Sequence, residues 1–225
     1  MIPLQLAASL LLLQTPTGVI DQGVLVVRRD SQEVARETFH LLERRPGDPA
    51  SGWLLDASAR WSGPGFATVL APVVELTPDS APAALAFDVT ANGKSQHITG
   101  QPGPGRFTLR YVAPGLERAR EVATGRQIVV ADDSVFSLYL FAAWRARATP
   151  SPVTAIFPRT AGRVTLTVTD SGVAATTLNR DPATLHHVLI TGGPMGPVHV
   201  WLDADGRLMK VEAPDQTLSA ERLPA

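Results

Sequence analysis

Short runs of alternating apolar and polar residues, separated by turn residues, are the feature that most constrains how this chain folds. In residues 164–169 valine and leucine alternate with threonine, and in residues 106–111 apolar side chains alternate with arginine or threonine. This alternation is typical of strands with one buried and one solvated face. Asn92-Gly93 and Asp205-Gly206 supply the positive φ values of tight hairpins. The sequence therefore predicts about a dozen strands in an antiparallel meander, curled into a strongly curved or unclosed barrel.

One segment, residues 133–147, interrupts this pattern because it is apolar on nearly every side. Asp132 and Ser134 offer oxygens to the first free N–H groups of a helix, Arg145 suits its last turn, and Pro150 prevents its continuation. Apolar residues all round indicate burial on most sides. At ~1.5 Å per residue the helix is shorter than the ~30 Å core of a bilayer, so no integral membrane span is expected. The sequence predicts one long apolar helix, about 133–147, packed on the concave face of the sheet.

The first eighteen residues indicate export. Residues 2–13 are almost entirely apolar and about as long as the hydrophobic region of a signal peptide. We interpret residues 1–18 as a signal peptide and 19–225 as a single β domain with one inserted helix, located in the periplasm or outside the cell. Residues 1–13 contain no Lys or Arg, so a retained anchor and a different start site are the alternatives.

Composition excludes several classes of function. The net charge is −1, and the basic residues are almost all arginine without interleaved aromatic residues on the same strands, so no nucleic-acid partner is expected. Cysteine is absent, which excludes disulfides, thiol catalysis and cysteine-ligated metals. We predict no cofactor and no metal site.

Catalytic signals are few. The sequence has no nucleophile-elbow, zinc-protease, Walker or dinucleotide motif. His186 and His187 are adjacent and should point to opposite faces of a strand, which prevents chelation of one ion. His199, Trp201 and Asp203 share one face of a predicted strand, where an imidazole could lie near a carboxylate. A hydrolase centred there is the third of our hypotheses, and the sequence leans towards a protein that is not an enzyme.

An exported antiparallel meander with an apolar helix past its midpoint resembles, in the order of its elements, the periplasmic lipoprotein carriers and lipid-binding proteins of the LolA and LolB type. The strand-turn-strand ending at residues 198–212 also resembles that of uncharacterised secreted β proteins. The first resemblance implies a curved, unclosed barrel covered by helices, with an apolar cavity for acyl chains. It departs from those carriers at the start, where strand signals begin without a preceding helix.

Two functions follow from the apolar helix. If the helix and the sheet leave a cavity, the protein binds a lipid, an acyl chain or another apolar small molecule, and the predicted ligand-binding residues are Phe136, Tyr139, Phe141 and Trp144. If the same aromatic side chains fill a dry core, the protein is a non-catalytic structural or interaction module of the cell envelope. The first is our leading hypothesis, for a monomeric protein.

Overall fold

The computed structural model describes residues 18–45, 47–125 and 127–224. Within them, fifteen strands form one continuous sheet. The predicted signal peptide lies outside the described residues, apart from Gly18, and stays a prediction. The strands are β1 (Val19–Arg29), β2 (Gln32–Glu43), β3 (Trp53–Gly63), β4 (Phe66–Leu76), β5 (Pro82–Ala91), β6 (Lys94–Gly103), β7 (Arg106–Ala113), β8 (Leu116–Ala123), β9 (Ile128–Val130), β10 (Ser151–Phe157), β11 (Gly162–Leu178), β12 (Asp181–Gly193), β13 (Gly196–Leu202), β14 (Leu208–Ala213) and β15 (Leu218–Arg222).

The sheet consists of two meanders that are joined where the first strand, β1, pairs with the last strand, β15. From β8 the sheet runs back through the sequence to β1, continues with β15, and runs back again to β9. Leu25 pairs with Arg222 at the β1–β15 junction, and the guanidinium of Arg222 binds the buried Asp21 carboxylate at 2.7 Å. All pairs are antiparallel except β9 with β10. The prediction of an unclosed antiparallel meander is confirmed.

The core lies on the concave side of the sheet. The alternating pattern directs every second side chain of a strand into it. On β2, for example, Ala35, Glu37, Phe39 and Leu41 are buried, whereas the residues between them are exposed. A single hydrophobic cluster joins the inward side chains of both meanders. The curved sheet therefore encloses one common core, into which the chain between β9 and β10 is inserted.

That insertion, residues 132–145, is called the inner segment below. The prediction of a long helix at 133–147 is wrong: the segment has a 3-10 helix at Phe136–Leu138 and an α-helix at Tyr139–Ala143. After Ala143 the N–H groups of Arg145 and Ala146 bond three residues back, which tightens and ends the helix. The position inside the concave face is as predicted, since the α-helix contacts β9, β11, β12 and β13.

The expected N-terminal cap serves another purpose. The Asp132 carboxylate accepts two bonds from Arg159, both at 2.7 Å, and one from the Ser134 N–H at 2.9 Å. Val135 is extended, so the helical turns begin at Phe136, three residues after the predicted start at 133. Their first N–H groups are bound by Glu37, from the distant strand β2. The side chains that predicted a helix start thus anchor an extended entry into the core.

No helix in the described part of the chain is long and apolar enough to cross a membrane.

Candidate ligand-binding site at the mouth of the sheet

An open cleft of about 380 Å³ lies where the inner segment enters the concave side of the sheet, and we call it the mouth cleft. The ends of β1, β3, β4 and β15, the β12–β13 turn and the start of the inner segment meet around it. Its lining residues are Arg29, Trp61, Phe66, Thr68, Leu70, Asp133, Ser134, Arg159, Pro194, Met195, Gln216 and Leu218. Apolar and charged side chains thus face the same opening.

The apolar part of the mouth cleft is formed by β3 and β4. Phe66 is 45% exposed, a large fraction for such a side chain. Its ring lies directly on Gly63 across the β3–β4 turn, where an added Cβ would come within 2.2 Å of the ring. Leu70 and Met195 continue this surface inwards and are buried. An aromatic ring held in place at an open edge offers a preformed apolar contact surface.

Trp61 connects the cleft to the inner segment. Its indole N–H donates to the Ser134 carbonyl oxygen at 2.9 Å. Its ring centroid lies 6.3 Å from that of the buried Phe136. These contacts join the inner segment to β3 along this wall of the cleft.

The polar rim carries two arginines with different surroundings. Arg159 binds Asp132 and also contacts Asp133. Arg29 is exposed, and its guanidinium makes no ion pair within the described residues. Because Arg29 faces the cleft without an acidic partner there, it can bind an anionic group of a ligand.

Glu37 lies behind the entry of the inner segment and is fully buried. Its carboxylate accepts hydrogen bonds from the Phe136 N–H at 2.7 Å and the Ser137 N–H at 2.8 Å. Burial raises the pKa of Glu37 to about 7, although the bonds from Ser137 and Phe136 favour the ionised form. The protein therefore contains a carboxyl group that exchanges a proton near neutral pH, directly under the inner segment.

The four predicted ligand-binding residues lie together in the core, and three of them are almost fully covered. Phe136, Tyr139 and Phe141 are at most 2% exposed, and burial raises the pKa of Tyr139 above its ordinary value. Phe141 and Trp144 pack edge to face at 5.8 Å. Trp144 is partly buried and lines a second, smaller cleft of about 240 Å³ with Leu140. The two clefts thus lie at the two ends of the inner segment.

The histidines are arranged differently from the catalytic hypothesis. Asp203 lies beyond β13, where its carboxylate accepts hydrogen bonds from the N–H groups of Asp205 and Arg207. It therefore stabilises a turn and does not form an acid–base pair with His199. His199 instead meets His187, with 2.9 Å between their ring nitrogens. Burial, and secondarily His199, lowers the pKa of His187. Within the described residues no group of three potential ligands could hold a metal ion.

Sequence reasoning missed the functional candidates of the mouth cleft, and also the role of the buried Glu37 behind the inner segment. Glu37 falls at an inward position of the β2 alternation, and a carboxylate at such a position is a recognisable signal. Arg29 and Phe66 carry no comparable signal, because each lies beside a turn where exposure is ordinary. Their meeting depends on the β1–β15 junction and on the insertion of the inner segment.

No protein family and no curated protein matches the chain. Two solved structures resemble it. A β-barrel-like protein of a domain of unknown function, DUF1849, from Brucella abortus is 12% identical with a TM-score of 0.59, over 90% of this chain and 94% of that one. A DUF1089 family protein from Pseudomonas aeruginosa is also 12% identical, with a TM-score of 0.47 over 80% and 89%. The first shows that this chain shares a barrel-like β fold.

Proposed function

We propose that this chain is an exported protein that binds an amphipathic ligand with an acyl chain, and that the mouth cleft is the binding site. The observation that carries the proposal is the pairing, at one opening, of a preformed apolar surface with Arg29, which makes no ion pair within the described residues. Phe66, the exposed aromatic residue of the cleft, contacts the acyl chain, and Arg29 binds the anionic headgroup.

The inner segment supports the site from behind. Phe136 packs on Trp61 and keeps the wall of the cleft in place. Of the predicted set, Trp144 alone lines the cleft at the far end of the segment, whereas Phe136, Tyr139 and Phe141 are buried behind it. This site differs from the predicted cavity between helix and sheet. The ligand lies at the end of the inner segment and does not displace the side chains of the core.

Calorimetric titration with dodecanoate, and with uncharged dodecanol, tests the site. Phe66→Ala is expected to weaken binding of both ligands about tenfold, because it removes a large apolar contact. Arg29→Gln should weaken binding of dodecanoate alone, since dodecanol has no charge to lose.

The matched controls are Leu116→Ala, an exposed apolar residue on β8, and Arg60→Gln, an exposed arginine on the outer face of β3. Neither should change either affinity. Equal losses in the controls and the site variants, or the absence of saturable binding to the wild-type protein, would refute the proposal.

Export is supported by the sequence of residues 1–18. The intact mass of the protein isolated from a bacterial periplasm tests it, with removal of about that segment expected. An uncleaved protein in the cytoplasm would contradict export but not ligand binding.

A second candidate function, an interaction module of the envelope, is favoured by one observation. Val112 and Leu116 are 42% and 52% exposed at the β7–β8 turn, which lies at an edge of the sheet. Exposed apolar residues at a sheet edge are typical of protein contacts. Under this reading Leu116→Ala weakens a partner complex and Phe66→Ala does not.

A further inference from the structure

The hairpin of β11 and β12 extends beyond the sheet and folds over its outer face. The first residues of β12, 181–185, pair with β11 but not with β13, whose pairing with β12 begins at His186. The tip of this hairpin is fixed to the strands beneath it, because Lys210 Nζ donates to the Thr177 carbonyl oxygen at 2.7 Å and Asn179 Nδ2 donates to that of Arg222 at 2.8 Å. We call this extension, residues 172–185, the outer arm.

A charged cluster lies under the outer arm. Lys210 is 3% exposed, and its Nζ lies 2.8 Å from Glu212 and 3.3 Å from Glu221. Arg28 binds the other oxygen of Glu221 at 3.2 Å. The two cations, Lys210 and Arg28, therefore neutralise the two carboxylates, Glu212 and Glu221, within the protein itself.

Beside this cluster lies a cleft of about 430 Å³ between two hairpin turns. One turn is Asp30–Ser31, joining β1 to β2, and the other is Asn179–Arg180, at the tip of the outer arm. Ser31 and Arg180 both line the cleft, with Arg28, Ser219 and Glu221. With Thr177 and Asn179 also in its lining, the surface combines two guanidinium groups, three hydroxyl residues, one amide and one carboxylate that is already neutralised.

Both turns place an unusual residue at their second position. The φ angles are 48° and 71° for Asp30–Ser31 and 52° and 75° for Asn179–Arg180, close to the 49° and 79° of Asn92–Gly93 in the β5–β6 hairpin. This conformation favours glycine at the second position, as Gly93 provides. Ser31 and Arg180 occupy it at a cost in backbone strain, and both face the same cleft.

We propose that this cleft binds a small oxyanion, the phosphate or carboxylate group of a soluble molecule, between the guanidinium groups of Arg180 and Arg28. The hydroxyls of Ser31 and Ser219 complete the set of donors. Arg180 makes no ion pair in the part of the chain that the structure describes. An arginine with no acidic partner, beside a second arginine and hydroxyl donors, is suited to bidentate binding of an oxyanion.

The test replaces Arg180 with the residue that its backbone favours. Arg180→Gly should raise the Tm by about 2–4 °C through relief of strain. The same substitution should weaken binding of inorganic phosphate or citrate about tenfold. Binding is followed by the NMR shifts of the arginine Nε groups at constant ionic strength. Tighter binding of phosphate than of citrate identifies a phosphate site, and the reverse a carboxylate site.

Gly93→Arg is the matched control, because it creates the same strained turn at the β5–β6 hairpin. It should lower the Tm and leave anion binding unchanged. The proposal is overturned if the wild-type protein shows no saturable shift with either anion, or if Arg180→Gly binds both as the wild type does. Dodecanoate binding at the mouth cleft should be the same in both variants, which separates this site from the proposed function.

Discussion

At the scale of single residues, Glu37 has the clearest physical consequence. It is a fully buried carboxyl group that accepts hydrogen bonds from the first two N–H groups of the helical turns, those of Phe136 and Ser137. A hydrogen-bonded carboxylate holds these groups in place, but its burial costs free energy because no cation among the described residues pairs with it. The residue therefore positions the inner segment and makes the stability of the protein depend on pH.

The direction of this dependence follows from the raised pKa. Burial moves the pKa of Glu37 from 4.5 to about 7 in the folded protein. Between these values the folded protein keeps a proton that the unfolded chain has released. The contribution of Glu37 to stability is therefore greatest below pH 4.5 and falls as the pH rises to 7.

Glu37→Gln removes this titration. We expect the free energy of unfolding of the variant, relative to the wild type, to increase by about 3 kcal/mol between pH 4.5 and pH 7.5. Urea unfolding at a series of pH values measures it. A constant difference between the two proteins over this range would show that Glu37 does not exchange its proton there.

At the scale of secondary-structure elements, the inner segment fills the concave side of the sheet. Phe136, Leu138, Leu140 and Phe141 are all fully buried in the common core. The segment is apolar on every side because strands surround it, and not because it forms a long helix. Its stability comes from this packing, since five α-helical residues are too few to be stable alone.

Phe141→Ala tests whether this segment is core. We expect a loss of about 4 kcal/mol in the free energy of unfolding, because the substitution leaves a cavity in a packed interior. Leu116→Ala, at the exposed β7–β8 turn, should cost less than about 0.5 kcal/mol. A similarly small cost for Phe141→Ala would indicate that the ring lines a space and not a packed core. Denaturant unfolding of the two variants decides between these outcomes.

The strands and the inner segment differ in how far sequence predicts them. Alternation and the Asn92–Gly93 turn are local, so the antiparallel sheet followed from the pattern alone. The length of the inner helix depended on distant partners: Arg159 binds Asp132, and Glu37 caps Phe136 and Ser137. A capping residue predicts a helix start only if its side chain is not bound by a residue of another element, as Asp132 is by Arg159.

At the scale of the whole molecule, the β1–β15 junction brings the ends of the domain together. It places Arg29, at the end of β1, across the mouth cleft from Phe66 on β4. No spacing within the sequence encodes this meeting, because residues from four strands, the β12–β13 turn and the inner segment take part. The candidate site therefore emerged only from the fold, whereas an apolar-ligand function was predicted from the inner segment.

Methyl NMR of methionine most directly tests the central claim that the ligand binds in the mouth cleft. Met195 is buried in its lining, and Met209 on β14 lies outside it. In protein labelled at the methionine methyl groups, saturating dodecanoate should shift the Met195 signal and leave that of Met209 unchanged, and Phe66→Ala should weaken the response. Binding of dodecanoate with no change at Met195, or with equal changes at both residues, would contradict a site in the mouth cleft.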